Sequence, residues 1–282
     1  MLEVTSNIRQ NAPVGPRSAA DVLLGLHSAL MYLFLYTPIV VLVAFSFTSD
    51  SFGVRWTGFT LDWYGRLLRD ERLVGAAANT LLVALISTLA STAIGTVTAL
   101  AMERYRFRGR TGLDALLYLP IVIPEIVMAL ALLAFFAFSF GIAEELFKVR
   151  LRLNLTTVIL SHIAFSISFV VVVVRASLKG FDRRLEEAAQ DLGADEWQTF
   201  WRITFPLILP GIIGGALLAF TLSLDDFIIS FFTTGSGTSL LPVEVYGQVK
   251  RAITPKINAI STVMLAISMT LVFLSQFVQR RT

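Results

Sequence analysis

The chain has 282 residues, of which 55% are hydrophobic and only 15% charged, and its formal net charge is +3 at pH 7. Soluble domains carry about 25% charged residues, so this composition excludes a disordered chain and an ordinary soluble enzyme and indicates a membrane protein. There is no cysteine and there are only two histidines, His27 and His162, which excludes disulfides and cysteine-ligated metals and argues against a dedicated histidine metal site.

Six segments are apolar over about 20 residues, the length that a helix needs to cross a bilayer. They are Val22–Phe47, Ala76–Ala101, Ala115–Phe140, Leu153–Val174, Phe205–Phe232 and Ile257–Val278. The first is too long, and begins too far into the chain, for a cleaved secretory signal. Residues 1–20, with Pro13 and Pro16, predict a flexible tail, and residues 21–282 predict one all-α membrane domain of six helices.

Small residues recur every four positions in the second segment and again in the fifth. The ladders are Ala84, Thr88, Thr92 and Thr96, then Ser87, Ser91, Gly95 and Ala99, and finally Gly211 and Gly215. Small side chains let membrane helices approach closely. We therefore expect these faces to pack against neighbouring helices.

Basic residues are concentrated in the short loop after the second segment and behind the last one. The loop holds Arg104, Arg106, Arg108 and Arg110, and Arg280 and Arg281 follow the last segment. Because arginine clusters beside span ends stay in the cytoplasm, both termini and the loops 102–112 and 175–204 are predicted to be cytoplasmic. Membrane orientation accounts for these basic residues, so we expect no nucleic-acid partner.

Glu125 is the one carboxylate in the third segment, and it follows Pro124. Charged groups inside a membrane are costly and by default indicate function, and proline kinks a helix. About 18 Å along its helix, at ~1.5 Å per residue, Glu125 is predicted near the bilayer centre as part of a gate or binding element. The alternative is a protonated or hydroxyl-paired side chain in the bundle core.

His162 is the one histidine in the fourth segment. No second titratable group lies near it in the sequence, so an interhelical hydrogen bond is favoured over a proton relay.

The loop after the fourth segment predicts a short amphipathic helix. Asp182 can cap its start and Gly193 can end it in a left-handed conformation. One apolar stripe is formed by Leu185, Ala188, Ala189 and Leu192. Asp195, with Gln198 three positions on, opens a second helix. The stripe fits either a groove on another protein or the chain's own bundle.

Asp225 and Asp226 are predicted in the outer part of the fifth segment. Neighbours on a helix point about 100° apart, so one carboxylate can face a pathway while the other caps or pairs; Asp226 is favoured for the pathway. Phe227 and Phe231 can offer aromatic faces to ammonium groups. Since every basic residue lies outside the six segments, the sequence predicts a path for cations. The alternative is an acidic pair neutralised by Lys250, Arg251 or Lys256.

The loop resembles a known motif. Glu187-Ala188-Ala189, Gly193 and Ile203-Thr204-Phe205-Pro206 have the spacing of the EAA loop of ABC importer permeases, with Phe205 in place of the usual leucine. The resemblance implies a type I permease fold with six transmembrane helices and a cytoplasmic coupling helix within about residues 177–205. The residues that would dock on an ATPase are Glu187, Ala188, Ala189, Leu192 and Gly193.

Further segments are similar to PotC-type permeases of spermidine/putrescine importers. They are Tyr105–Gly109, Leu178–Asp182, Phe220–Phe227, and Leu241–Pro242 with Tyr246 and Val249–Lys250. This resemblance implies a bacterial inner-membrane importer with a PotB-like permease, a PotA-like ATPase dimer and a periplasmic polyamine-binding protein. The chain has no GxxxxGK[ST] loop, so ATP and Mg²⁺ are expected on the ATPase and no cofactor here.

Two other interpretations stay open at the level of the residues. The chain could serve another cationic solute, or it could be a proton-coupled secondary transporter with Glu125 as the proton site. The latter has no need of a capped cytoplasmic loop. A membrane enzyme is disfavoured because no nucleophile–base set is visible.

Overall fold

The computed structural model describes residues 19–53, 55–180, 182–251 and 254–280. These ranges form α1 (Ala19–Phe45), α2 (Asp62–Leu68), α3 (Glu71–Arg104), α4 (Arg110–Val122), α5 (Glu125–Phe147), α6 (Leu155–Lys179), α7 (Arg184–Asp191), α8 (Glu196–Thr199), a π-helix (Phe200–Thr204), α9 (Phe205–Asp225), α10 (Ile228–Thr233), α11 (Leu241–Val249) and α12 (Pro255–Arg280). Within the described ranges one antiparallel bridge, Thr48 to Phe59, is the only β contact. The all-α prediction is confirmed, while most of the predicted tail, Phe181 and Arg281 fall outside these ranges.

Five stretches of the described chain are long and apolar enough to cross a membrane. They are α1, α3, α5, α6 and the continuous helical stretch Glu196–Asp225. A sixth long helix, α12, has 26 residues. Each of the six predicted segments coincides with one of these helices, although two segments are interrupted.

The third predicted segment is broken rather than kinked. α4 ends at Val122, Ile123 and Pro124 take extended conformations with ψ of 138° and 132°, and α5 begins at Glu125. Proline lacks an N–H and disfavours helical geometry in the residue before it. The prediction of a continuous helix was wrong here, and Glu125 is the first residue of a helix instead of a mid-helix residue.

The fifth predicted segment is also broken, in this case without a proline. α9 ends at Asp225, and Asp226 is extended with φ −64° and ψ 123°. α10 then begins at Ile228. The prediction of one helix over 205–232 was wrong because a side chain, described below, replaces the helical hydrogen bonds at this point.

Three helices, α3, α6 and α9, form the centre of the bundle. A Cβ added to Gly95 of α3 would lie 2.8 Å from Cβ of Val170, and one added to Gly211 of α9 would lie 2.4 Å from Cβ of Ser177. Both partner residues belong to α6. The backbones therefore approach so closely that only glycine fits, which confirms the packing role predicted for the small residues.

Loops that were predicted to lie on the same side of the membrane are close together in the structure. At one end, here called the EAA end, Nε of Arg175 on α6 lies 2.8 Å from Oε1 of Glu103 on α3. At the opposite end, Nη2 of Arg72 lies 2.9 Å from Oε1 of Glu244 on α11, and Lys256 pairs with Asp70. The alternation of the six segments is thus consistent with the contacts, while the sidedness of the two ends stays a prediction.

Candidate substrate pathway and coupling loop

The break between α9 and α10 is organised by the side chain of Asp226. Its Oδ1 accepts a hydrogen bond from the backbone N–H of Ile229 (3.2 Å) and its Oδ2 accepts one from that of Ser230 (2.7 Å). Asp226 is buried, with 7% of its surface exposed. These bonds cap the new helix, so the backbone can change direction inside the bundle without leaving buried donors unpaired.

His162 connects this break to the neighbouring helix α6. Its Nδ1 lies 2.6 Å from Oγ of Ser223, and its Nε2 lies 3.1 Å from Oγ of Ser230. Nε2 also lies 3.2 Å from Oδ2 of Asp226. The predicted interhelical hydrogen bonding of His162 is confirmed. Its titratable partner was missed because Asp226 is far away in the sequence.

Glu125 joins the same cluster from α5. Its carboxyl group interacts electrostatically with that of Asp226, and the side chain is only partly buried. α5 reaches α10 through an apolar cluster that includes Ala129 and Ile229. As the first residue of α5, Glu125 also lies at the positive end of the helix dipole, which favours a negative charge there. Two carboxylates therefore meet where two interrupted helices pack together.

Asp225 points away from this cluster. It is exposed, and its Oδ2 accepts a hydrogen bond of 2.8 Å from the hydroxyl of Ser268 on α12. The two neighbouring carboxylates therefore diverge as the sequence predicts, but in the opposite assignment: Asp226, which was favoured for the pathway, caps and pairs, while Asp225 is open.

The basic residues proposed as neutralising partners have other contacts. Lys256 pairs with Asp70, Nε of Arg251 donates to the carbonyl of Gly247, and Nζ of Lys250 lies 4.7 Å from the centroid of the Tyr246 ring. None of these contacts reaches Asp225 or Asp226. In the described part of the chain, no lysine or arginine forms an ion pair with Glu125, Asp225 or Asp226.

An aromatic cluster adjoins the break. The ring centroid of Phe227 lies 5.5 Å from that of Phe231 and 4.4 Å from that of Tyr246 on α11. Phe231 and Tyr246 are exposed, by 46% and 37%. Lys250 already lies over the Tyr246 ring, so this face accepts an ammonium group. The sequence predicted Phe227 and Phe231 but not Tyr246, which comes from a different helix.

The EAA loop has the predicted helix and the predicted end. Oδ1 of Asp182 accepts a hydrogen bond from the backbone N–H of Arg184 (3.0 Å) at the start of α7, and Gly193 has a φ of +88°. Oδ1 of Asp195 accepts one from the N–H of Gln198 (2.7 Å), which caps α8. The two-helix layout of the loop is confirmed.

The stripe of α7 is divided between the bundle and the solvent. Ala189 is buried, with 9% exposed, whereas Leu185 and Leu192 are 47% and 89% exposed. Ala188 and Glu187 are exposed too. The apolar stripe of α7 therefore buries one small residue and leaves two leucines, together with the EAA glutamate, available to another protein.

The fold is that of ABC importer permeases. It superimposes on a solved chain of a bacterial ABC transporter that imports the acidic polysaccharide alginate, with a TM-score of 0.75 over 92% of this chain and 94% of that one, at 21% sequence identity. The structural similarity covers almost the whole chain. Because the sequence identity is low, it establishes only that the two chains have the same fold.

The sequence identifies the protein family of this chain. Residues 91–282 match the model of the binding-protein-dependent transport system inner membrane component, and the chain belongs to this family. It is 40% identical to the spermidine/putrescine transport system permease protein PotC of Escherichia coli K12 over 250 residues, 89% of this chain and 91% of that one. It is 39% identical to the putrescine transport system permease protein PotI of the same strain over 237 residues, 84% and 83% of the two chains.

The chain is therefore a multi-pass permease of the inner membrane and not an enzyme. Its family is that of binding-protein-dependent transport systems, and a solved alginate ABC transporter of this fold was captured in complex with a periplasmic protein. The family inferred from the EAA spacing is confirmed.

Proposed function

We propose that this chain, with a PotB-like partner permease, forms the path by which spermidine or putrescine crosses from periplasm to cytoplasm. A periplasmic polyamine-binding protein delivers the substrate, and a dimer of PotA-like ATPases, which binds ATP and Mg²⁺, drives the cycle. Both termini are then cytoplasmic. Similarity to PotC and PotI over more than four-fifths of the chain supports this proposal.

The observation that carries the proposal is the acidic and aromatic lining of the two helix breaks. Polyamines are flexible chains of ammonium groups joined by methylenes, so each ammonium needs a carboxylate or an aromatic face and each methylene an apolar surface. Glu125, Asp225 and Asp226 supply carboxylates, and Phe227 and Phe231 supply rings. A path whose carboxylates have no lysine or arginine partner favours cations and repels anions.

The carboxylates are proposed to have different tasks. The oxygens of Asp226 are already engaged by His162 and by the N–H groups of α10, so Asp226 chiefly shapes the break and supplies negative potential. The greater exposure of Asp225 and Glu125 favours them for direct contact with ammonium groups. Partial solvation keeps each contact weak, and weak successive sites allow the substrate to leave again.

The two helix breaks are also compatible with a substrate path that changes conformation during transport. Interrupted helices place polar backbone at membrane depth, which is tolerated where it is buried or lines a water-filled cavity, and transporters form substrate sites at such breaks. In the proposed cycle, closure of the ATPase dimer displaces α7 and rocks the bundle between outward- and inward-open states. Glu187, Ala188, Leu192 and Gly193 present the docking surface, and Ala189 seats the helix.

Competition uptake tests the substrate. Proteoliposomes that contain the complete complex, with its binding protein, are given labelled spermidine, and unlabelled spermidine, putrescine or choline is added in excess. The proposal predicts strong competition by the two polyamines and little by choline. Equal competition by choline would favour a permease for another cationic solute, and failure of both polyamines to compete would contradict the proposal.

A further inference from the structure

Glu186, the residue before the EAA glutamate, faces the bundle. Its carboxylate accepts hydrogen bonds from the guanidinium of Arg104 and the hydroxyl of Thr204, while Glu187 is exposed. Nη2 of Arg104 also donates to Oγ1 of Thr204 at 3.1 Å. Three residues from three separate elements thus form a closed triangle of hydrogen bonds, here called the Glu186 clamp.

The clamp joins α7 to two helices of the bundle centre. Arg104 is the last residue of α3, and Thr204 is the last residue of the π-helix that continues into α9. A second tie runs from Nη2 of Arg183 to the backbone carbonyl of Glu103 at 2.9 Å. α7 is therefore attached to the end of α3 at two points and to the start of α9 at one.

The clamp is better shielded than an ordinary surface ion pair. The side chains of Glu186 and Arg104 are 18% and 35% exposed, and Thr204 is fully buried. In contrast, the pair of Arg150 and Glu144 at the end of α5 is 79% and 53% exposed. Charge-assisted bonds in a shielded site are stronger than exposed pairs, which contribute little.

The clamp reaches α9 at the π-helical turn that precedes it. The π-helix Phe200–Thr204 closes with a bond from the N–H of Phe205 to the carbonyl of Phe200, which is one residue longer than the α-helical spacing. Such turns are rare, occur as single turns and are frequent at functional sites. A displacement of α7 would thus act on α9 at the turn where its hydrogen bonding departs from α-helical spacing.

We infer that Glu186 is a positioning residue that transmits the movement of α7 to α3 and α9, a task separate from the docking of α7 on the ATPase. Glu187 and the exposed leucines contact the ATPase, and Glu186 connects the docked helix to the bundle. The inference rests on the ATP-driven cycle in the proposed function but not on the identity of the substrate.

Two variants test the clamp, each with a matched control. Glu186→Gln removes the charge, and its control is Glu196→Gln, an exposed acid in the same loop. Thr204→Val removes a hydroxyl that Glu186 uses, and its control is Thr199→Val, whose hydroxyl is buried without a hydrogen-bond partner in the described structure. Both clamp variants should lower uptake by about tenfold, the value of one charge-assisted hydrogen bond, while ATPase activity and co-purification of the ATPase stay near wild type.

A second readout does not depend on the substrate. Because the chain has no cysteine, Phe231→Cys introduces a single thiol at the helix breaks. Its labelling by a maleimide, compared with and without ATP plus vanadate, reports whether the ATPase step reaches the breaks. We expect ATP plus vanadate to change the labelling in the Glu196→Gln background and to leave it unchanged in the Glu186→Gln background.

Two results would overturn the inference. One is an ATP-dependent change in labelling that persists in the Glu186→Gln background. The other is a loss of the ATPase subunit from Glu186→Gln and Thr204→Val complexes, which would make the clamp part of docking. If the wild-type complex showed the labelling change but took up no polyamine, the substrate assignment would fail and the role of Glu186 would stand.

Discussion

Nε2 of His162 lies 3.2 Å from Oδ2 of Asp226, and both side chains are almost fully buried. The contact joins α6 to the break between α9 and α10. It gives Asp226 a polar partner that is not a lysine or arginine, so the site has one buried carboxylate that a permanent cation does not neutralise. The electrostatic character of the proposed path depends on this arrangement.

Replacing Asp226 by Asn should weaken polyamine uptake by about tenfold or more, because bonds to a buried charged group are each equivalent to about 1.5–3 kcal/mol. Asn keeps an oxygen for the cap of α10 but removes the charge beside His162. Initial rates of uptake measure the effect. Unchanged kinetics, with the complex intact, would exclude Asp226 from the pathway.

Glu125→Gln should raise the apparent KM for polyamine uptake or lower the turnover rate, since it removes the second carboxylate of the acidic cluster. Glu145, exposed near the other end of α5, gives the matched control Glu145→Gln, which should behave as wild type. If the two variants behaved alike, Glu125 would be a structural residue.

Gly193 ends α7 with a φ of +88°, a conformation that costs a β-branched residue more than Asn. We expect Gly193→Val to reduce transport per ATP hydrolysed and Gly193→Asn to reduce it less. Gly180→Ala is the control, because Gly180 has φ −82° and no neighbouring atom closer than 3.7 Å to an added Cβ. Full coupling in Gly193→Val would remove the helix end from the mechanism.

Gly211→Ala should destabilise the permease, because the new Cβ would lie 2.4 Å from Cβ of Ser177, and overpacking costs about 1–3 kcal/mol. Gly25→Ala on α1 meets no atom within 4 Å and should be neutral. Thermal unfolding of the two variants in the same detergent compares them directly. Equal melting temperatures would contradict this expectation, because they would show that α6 and α9 accommodate the added methyl group without a loss of stability.

Asp70 should stabilise the protein in a pH-dependent way. The hydrogen bond from Lys256, together with the backbone N–H groups of Leu73 and Arg72, lowers the pKa of this carboxyl group despite the opposing effect of burial. A lowered folded-state pKa adds stability that is complete at neutral pH and lost as the pH falls through that pKa. Loss of the cap in Asp70→Ala should cost about 1 kcal/mol at pH 7.

The melting temperatures of wild type and Asp70→Ala should therefore differ most near neutral pH and approach each other below about pH 4, where an ordinary aspartate also binds its proton. A Glu71→Ala variant controls for the loss of a neighbouring charge. A difference that grows on acidification would contradict the assigned sign.

Much of the fold can be read from local patterns. Hydrophobic length is enough to place six long helices, four-residue ladders identify the close contacts of Gly95 and Gly211, and the caps at Asp182, Gly193 and Asp195 define the EAA loop. Each of these features is determined by residues that are close together in the sequence, so it can be predicted from a local sequence pattern.

The helix breaks and the contacts across helices could not be read in this way. Apolar residues continue on both sides of Asp225 and Asp226, and only the tertiary position of His162 and Ser230 makes a cap at Asp226 better than another helical turn. Tyr246 and Glu186 were missed for the same reason, since their partners come from other elements. Pro124 indicated where the third segment is distorted, but the presence of a proline does not distinguish a kinked helix from an interrupted one.

The most direct test of the proposed function is ATP-driven uptake by the purified complex. Proteoliposomes that hold this chain, its partner permease, the ATPase and the binding protein are given labelled spermidine or putrescine, with ATP on the side of the ATPase. The account predicts accumulation that requires ATP hydrolysis and persists with an uncoupler. Absence of uptake of both polyamines by a complex that hydrolyses ATP and transports another solute would contradict it.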